Sequence, residues 1–172
     1  MQHTNRLIDD NVDALMQALR LISAIDDEAY STANAPLTKM GIGSHFRHCM
    51  DFYTCFASGL ETGRINYDLR ERNAAVETNR LFAIGKIEAM IETLRSLAPE
   101  DGEREVEVIS ESSASADWSR SSMKRELQFL LSHTIHHYAI VALSLRVRGI
   151  EPGEEFGVAP STLRHWRAQC AR

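Results

Sequence analysis

Seven histidines occur in this chain of 172 residues, and five of them fall in two short windows. One is Phe129-Leu130-Leu131-Ser132-His133-Thr134-Ile135-His136-His137-Tyr138; the other is Gly43-Ser44-His45-Phe46-Arg47-His48. His133 and His137 are four positions apart, so on an α-helix they stand about 40° apart on one face, one turn above the other. That spacing lets two imidazoles hold one ion, and imidazole is the commonest protein ligand for zinc, nickel, copper and iron. Two ligands seldom suffice. The other window can supply a third.

Helical geometry ranks the candidates. Residues within about 40° of His45 are Cys49, Phe52 and Phe56, an apolar face, whereas Arg47, Asp51 and Ser58 fall on the far side. His48 sits about 60° round from His45, towards one edge of that face. On the other stretch, His133 and His137 share a face with Phe129, Leu130 and Ile140, and His136 lies off to the side. The expected metal ligands are therefore His45, His133 and His137, with His48 held in reserve. A lone histidine on an apolar face is usually a hydrogen-bonded core residue. Three that converge without a common partner would leave several buried ring nitrogens to satisfy, which favours a metal.

Three protein ligands leave a position open for water or substrate, as catalytic zinc sites do. An ion so held can lower the pKa of water to about 7, or activate a thiolate or carbonyl. The metalloprotease helix H-E-x-x-H is excluded, because Thr134 stands where its general-base glutamate would be. A ferritin-like di-iron site is disfavoured, since no E-x-x-H pair appears on any helix. Glu126 is the candidate catalytic carboxylate: seven residues before His133, it lies about 20° from it, two turns away. It could orient a ligand or move a proton; near a helix start it could equally be solvated and favoured by the helix dipole. The connector Asn66-Tyr67-Asp68-Leu69-Arg70-Glu71-Arg72-Asn73 is dense in charge. Arg64, Arg70 and Arg72 could receive an anionic substrate group, although a salt-bridged loop is the plainer reading. Arg146, Arg148, Arg164 and Arg167 are expected at a solvated surface.

Four helices must position these groups. Ile8, Val12, Leu15, Leu19 and Ile22 make one apolar stripe that ends in the polar run around Asp26, Asp27 and Glu28. A second helix is expected from about Gly41–Ser44 to Ser58 or Gly59, closed by Gly59 and Gly63. A third runs from about Val76 to Leu97, stopped by Pro99, and a fourth from about Met123 to Val147, closed by Gly149 and Pro152. Between them, Val106 and Val108 alternate with Glu105 and Glu107, enough for a short strand or hairpin. A short helix follows Pro160, capped by Ser161. The fold class is all-α, one domain over 1–172 built as a four-helix bundle.

Composition narrows the function. A net charge of −5 and a pI near 5.8 argue against general nucleic-acid binding. No run approaches the roughly 20 apolar residues of a membrane span, and the first residues lack a secretion pattern, so the cytoplasm is expected. Cys49, Cys55 and Cys170 form no C-x-x-C pair and read as reduced thiols. Leu127, Leu131, Ile135, Tyr138, Ala142 and Leu145 lie opposite the histidines, so the fourth helix is apolar on two sides. The C-terminal segment or a second copy must cover that side, and a homodimer is the expectation.

With Gly43-Ser44-His45-Phe46-Arg47-His48, and Arg125-Glu126-Leu127-Gln128-Phe129 leading into Ser132-His133-Thr134-Ile135-His136-His137, the chain resembles the DinB/YfiT-like superfamily of metalloenzymes over nearly its whole length. The resemblance implies an up-down-down-up four-helix bundle, often dimeric, with a divalent metal on three histidines that map to His45, His133 and His137. Zinc is the first choice, with nickel or iron as alternatives. It further implies thiol-dependent S-transferase, isomerase or hydrolase chemistry on a small molecule, with a low-molecular-weight thiol as one candidate partner. A non-catalytic, metal-stabilised or stress-linked dimeric bundle is the alternative.

Overall fold

The computed structural model describes residues 2–32, 40–109 and 117–170. Four long helices carry the fold: α1 (Gln2–Ala24), α3 (Ile42–Thr62), α5 (Arg80–Arg95) and α6 (Met123–Val147), joined by short α2 (Asp27–Ser31) and α4 (Ala74–Thr78) and followed by α7 (Pro160–Cys170). Helices α1 and α3 each pack against both α5 and α6, so the first two long helices sit at opposite corners of the bundle. The α1 stripe is buried at Ile8, Val12, Leu15 and Ile22, against Phe46, Tyr53 and Phe56 of α3, Ile87 and Leu94 of α5 and Leu127, Leu130 and Tyr138 of α6, all in one core. Asn11, fully buried, fixes the rotation of three helices at once. Its Nδ2–H donates to Leu7 O (2.7 Å) and Leu127 O (3.0 Å), and its Oδ1 accepts from the Tyr53 hydroxyl at 2.7 Å.

The expected all-α bundle with a strand insert is what the chain forms, with local departures. The third long stretch is two helices rather than one from about Val76 to Leu97. Asn79 is extended (φ −117°, ψ 104°), ends α4 and caps α5 by accepting from the Phe82 N–H at 3.0 Å. Helix α3 continues past Gly59 to Gly63, whose φ of 76° suits glycine. Gly59 instead marks a close approach: a Cβ there would lie 2.6 Å from Ile65 Cγ1. Ile65 belongs to β1 (Arg64–Asn66), a strand with no counterpart in the sequence reading, because three residues carry too short a pattern to register. It pairs in parallel with β2 (Glu105–Ile109), which pairs antiparallel with β3 (Ser119–Ser122), directly before α6. This small sheet ties the end of α3 to the start of α6.

Beyond α6, Phe156 stacks on Tyr138 (ring centroids 4.9 Å apart, 12° between planes), and Leu163 of α7 is buried. The C-terminal segment therefore covers part of the second apolar side of α6, while Leu143 and Val147 stay exposed. Arg146 and Arg167 are exposed and pair with Glu151 and Glu155, and Arg148 donates to Ala29 O at 2.9 Å. The three cysteines are unpaired. Among the described residues, no helix is long and apolar enough to cross a membrane.

Candidate metal centre

The histidines come together where α3 packs along α6. Gly43 sets the start of α3 beneath α4: a Cβ at that position would fall 2.0 Å from Glu77 O. Glu77 accepts from the Ser44 hydroxyl and from Arg47 Nε (2.9 Å), and Arg47 Nη1 donates to the Asp51 carboxylate at 2.9 Å. With Arg47 tied to those two carboxylates, the neighbouring His48 turns towards α6.

One ring nitrogen from each of His48, His133 and His137 lies within 4.8 Å of the other two. His48 Nε2 and His133 Nε2 are 3.0 Å apart, and the ring centroids of His48 and His133 each stand 4.6 Å from that of His137. All three residues are half-buried. Among the described residues no other group of three or more His, Cys, Asp or Glu side chains gathers this closely.

His45, expected as a ligand, occupies a different place. It is buried, and its Nδ1 is 3.0 Å from His137 Nδ1, but it lies outside the three-way group. Its Nε2 is buried without a hydrogen-bond partner. His48 takes the position facing both α6 histidines. Both α3 histidines thus face α6: His45 meets His137 alone, and His48, about 60° round the helix, meets His133 and His137. His136 is exposed, its ring 5.4 Å from that of His137.

Burial holds the His48 imidazole down to about pKa 4, with His133, Arg70 and Arg47 adding to the effect. Burial, then His133 and His48, lowers His137 to about 3. Burial, with His136, also lowers His45. At neutral pH these rings are uncharged, which is the form that ligates metal.

Aromatic rings wall the cluster. Phe52 lies 4.4 Å from His133 and 5.0 Å from His48 between centroids, and Phe129 lies 5.5 Å from His133. Tyr67 packs on Phe52 and Phe129 and donates its hydroxyl to Glu126 at 2.9 Å. Glu126 is buried, also accepts from the Ser121 hydroxyl, and lies outside the histidine group. Burial, then the Glu126 charge, raises the Tyr67 hydroxyl pKa well above its ordinary range, so it stays a donor. Of the three connector arginines, Arg64 pairs with Glu107 and lies over Trp118, and the Arg72 backbone lies near the Asp51 carboxylate. The Arg70 guanidinium lies 4.9 Å above the Phe52 ring. Phe52 and Tyr67 are neighbours of the site that histidine spacing alone does not reveal; the nearest sequence signal was the apolar face shared by His45 and Phe52.

No family model matches the chain. FK506-binding protein 5 of Rhizopus delemar is 34% identical over 108 residues, which cover 61% of this chain and 28% of that protein. The chain thus matches well under a third of that relative's length. The crystal structure of a DinB-like protein, YjoA, from Bacillus subtilis superposes with a TM-score of 0.63, over 84% of this chain and 92% of that one, at 19% identity. The fold is DinB-like.

Proposed function

We propose that His48, His133 and His137 hold a divalent transition-metal ion, and that the site belongs to an enzyme acting on a small molecule. The observation that carries this is the approach of three imidazoles from two helices to within 4.8 Å, two of them, His48 and His137, held neutral by burial. Tetrahedral zinc with Zn–N bonds of about 2.0–2.1 Å places its ligand nitrogens about 3.3 Å apart, against 3.0 Å between His48 Nε2 and His133 Nε2 and at most 4.8 Å across the trio. The donor set suits zinc first, with nickel or iron also compatible. A bound ion would supply Lewis-acid chemistry at its open position, activating water or a low-molecular-weight thiol for hydrolysis or thiol transfer.

The protein's own groups prepare that position. His45 Nδ1 stands 3.0 Å from His137 Nδ1, so His45 would orient the His137 ring for an ion held through its other nitrogen, the usual work of a partner behind a ligand. Phe52 and Phe129 keep water from one side of His133. The cytoplasm and a homodimer belong to the same reading. Free thiols support the first, and Leu143 and Val147, each 59% exposed, support the second.

One observation favours a non-catalytic metal site. Glu126 is committed to Tyr67 and Ser121, and among the described residues no carboxylate stands in the histidine group to serve as general base. A cobalt-substituted sample separates the two, because an open ligand position answers to added thiol and a closed one does not.

The test of metal binding is elemental analysis of protein purified without an affinity tag, in parallel with His133→Ala. Wild-type protein should hold close to one ion per chain, and the variant should be nearly empty. Equal content in both samples overturns the assignment.

A further inference from the structure

Arg70 lies in the loop between β1 and α4, held at both ends. The Tyr67 N–H donates to Ile109 O at 2.9 Å and the Asp68 N–H to Asn66 Oδ1 at 2.9 Å. Beyond it, Arg72 adopts a left-handed φ of 52°, with its backbone near the Asp51 carboxylate. The loop thus carries Arg70 onto the face of Phe52, the ring that also contacts His48 and His133. A guanidinium stacked on an aromatic face is held in orientation with its N–H edge left to bond elsewhere.

That edge is incompletely used. Arg70 Nη1 is buried without a hydrogen-bond partner. Asp51, close enough to interact with Arg70, is already engaged by Arg47 Nη1 at 2.9 Å. Arg47, the other arginine on this side of α3, has two carboxylates. A guanidinium cannot shed its proton, so a buried unmet N–H on it is an unsatisfied charged donor. Three imidazoles bring no negative charge, so a divalent ion among them would stand with Arg70 as a second cation around the same ring.

We infer that Arg70 is an anion anchor for the histidine site, receiving an oxyanion group (a carboxylate or a phosphate) of the small molecule that binds there. This deepens the metal reading and rests on it only for the neighbouring cation. The substrate class is a small organic acid or phosphate ester, whose oxyanion meets the planar fork of Arg70 while another of its groups approaches the histidines.

The test is titration of cobalt-loaded protein with acetate, inorganic phosphate and neutral acetamide, followed in the visible spectrum, and of metal-free protein by calorimetry. Arg70→Gln should weaken acetate or phosphate binding about ten- to a hundredfold in both forms. Arg70→Lys should keep part of the affinity, and acetamide should not discriminate among the variants. The better-bound anion names the class. Wild-type affinity for both anions in Arg70→Gln overturns the inference, as does failure of wild-type protein to bind either. A shift in melting temperature alone would make Arg70 a loop support and also overturn it. If wild-type protein takes up no cobalt, the metal reading fails separately, and the metal-free titration judges Arg70 by the same criterion.

Discussion

His48 and His45 stand one helical turn apart, and exchanging which of them is removed tests the geometry of the site most directly. His48 Nε2 is 3.0 Å from His133 Nε2 and joins the three-way group, whereas His45 reaches only His137. Structural zinc sites bind with roughly 10–16 kcal/mol over four ligands, so one ligand contributes about 2.5–4 kcal/mol, or about 10²–10³ in affinity. A partner that orients a ligand contributes about 10–100-fold. His48→Ala should therefore lose metal through ordinary purification, while His45→Ala keeps it with a weaker but measurable affinity. Competition against a chromophoric chelator, together with elemental analysis, reads both. A metal-replete His48→Ala beside an empty His45→Ala would refute the assignment, and would show that the ion sits deeper in the bundle, against the orphaned His45 Nε2.

Acid should destabilise the metal-free protein. Unfolded histidines titrate near 6.5, whereas His48 and His137 in the fold titrate at about 4 and 3, so between those values the unfolded chain binds protons that the folded chain refuses. This contribution is complete above about pH 6.5 and is lost as pH falls. Urea midpoints at pH 7.5 and 5 should show the drop and His48→Gln/His137→Gln should flatten it; a wild-type midpoint that rises on acidification would contradict the sign. Gly43→Ala should destabilise by about 3 kcal/mol, or roughly 6–12 °C in melting temperature, because its Cβ would fall 2.0 Å from Glu77 O. Gly85→Ala in α5, where nothing lies within 4 Å of an added Cβ, should instead stabilise by about 0.5–1 kcal/mol. Equal melting temperatures for the two variants would mean that α4 does not close on α3 as described. Asn11→Ala should cost about 2–3 kcal/mol in chemical denaturation, since it strips the acceptor from the buried Tyr53 hydroxyl; a loss below 0.5 kcal/mol would deny Asn11 its place between the helices.

What could be read along the chain was whatever depends on neighbours a few residues away. The α1 stripe, the bounds of α6 and the pairing of His133 with His137 follow from the helical repeat alone, and each is found where the repeat puts it. The stop at Gly63 was legible as a glycine signal, but the same signal at Gly59 meant room for Ile65, and only the crossing strand tells the two apart. Asn79 similarly had the chemistry of a cap inside an apolar periodicity, and the packing of α4 over α3 made the break.

Which of His45 and His48 gathers with both α6 histidines belonged to the tertiary structure. A helical wheel states the direction of each side chain but not which residues of the neighbouring helix stand opposite it, and here His48 meets both His133 and His137 whereas His45 meets His137. The same limit applies to Arg70 and Glu126. Their residue types announced charge, yet whether a charge is paired, solvated or left with an empty donor depends on groups brought from far along the chain. Tyr67 and Ser121 filled Glu126, and Asp51 went to Arg47, leaving Arg70 over Phe52 with an N–H still to place.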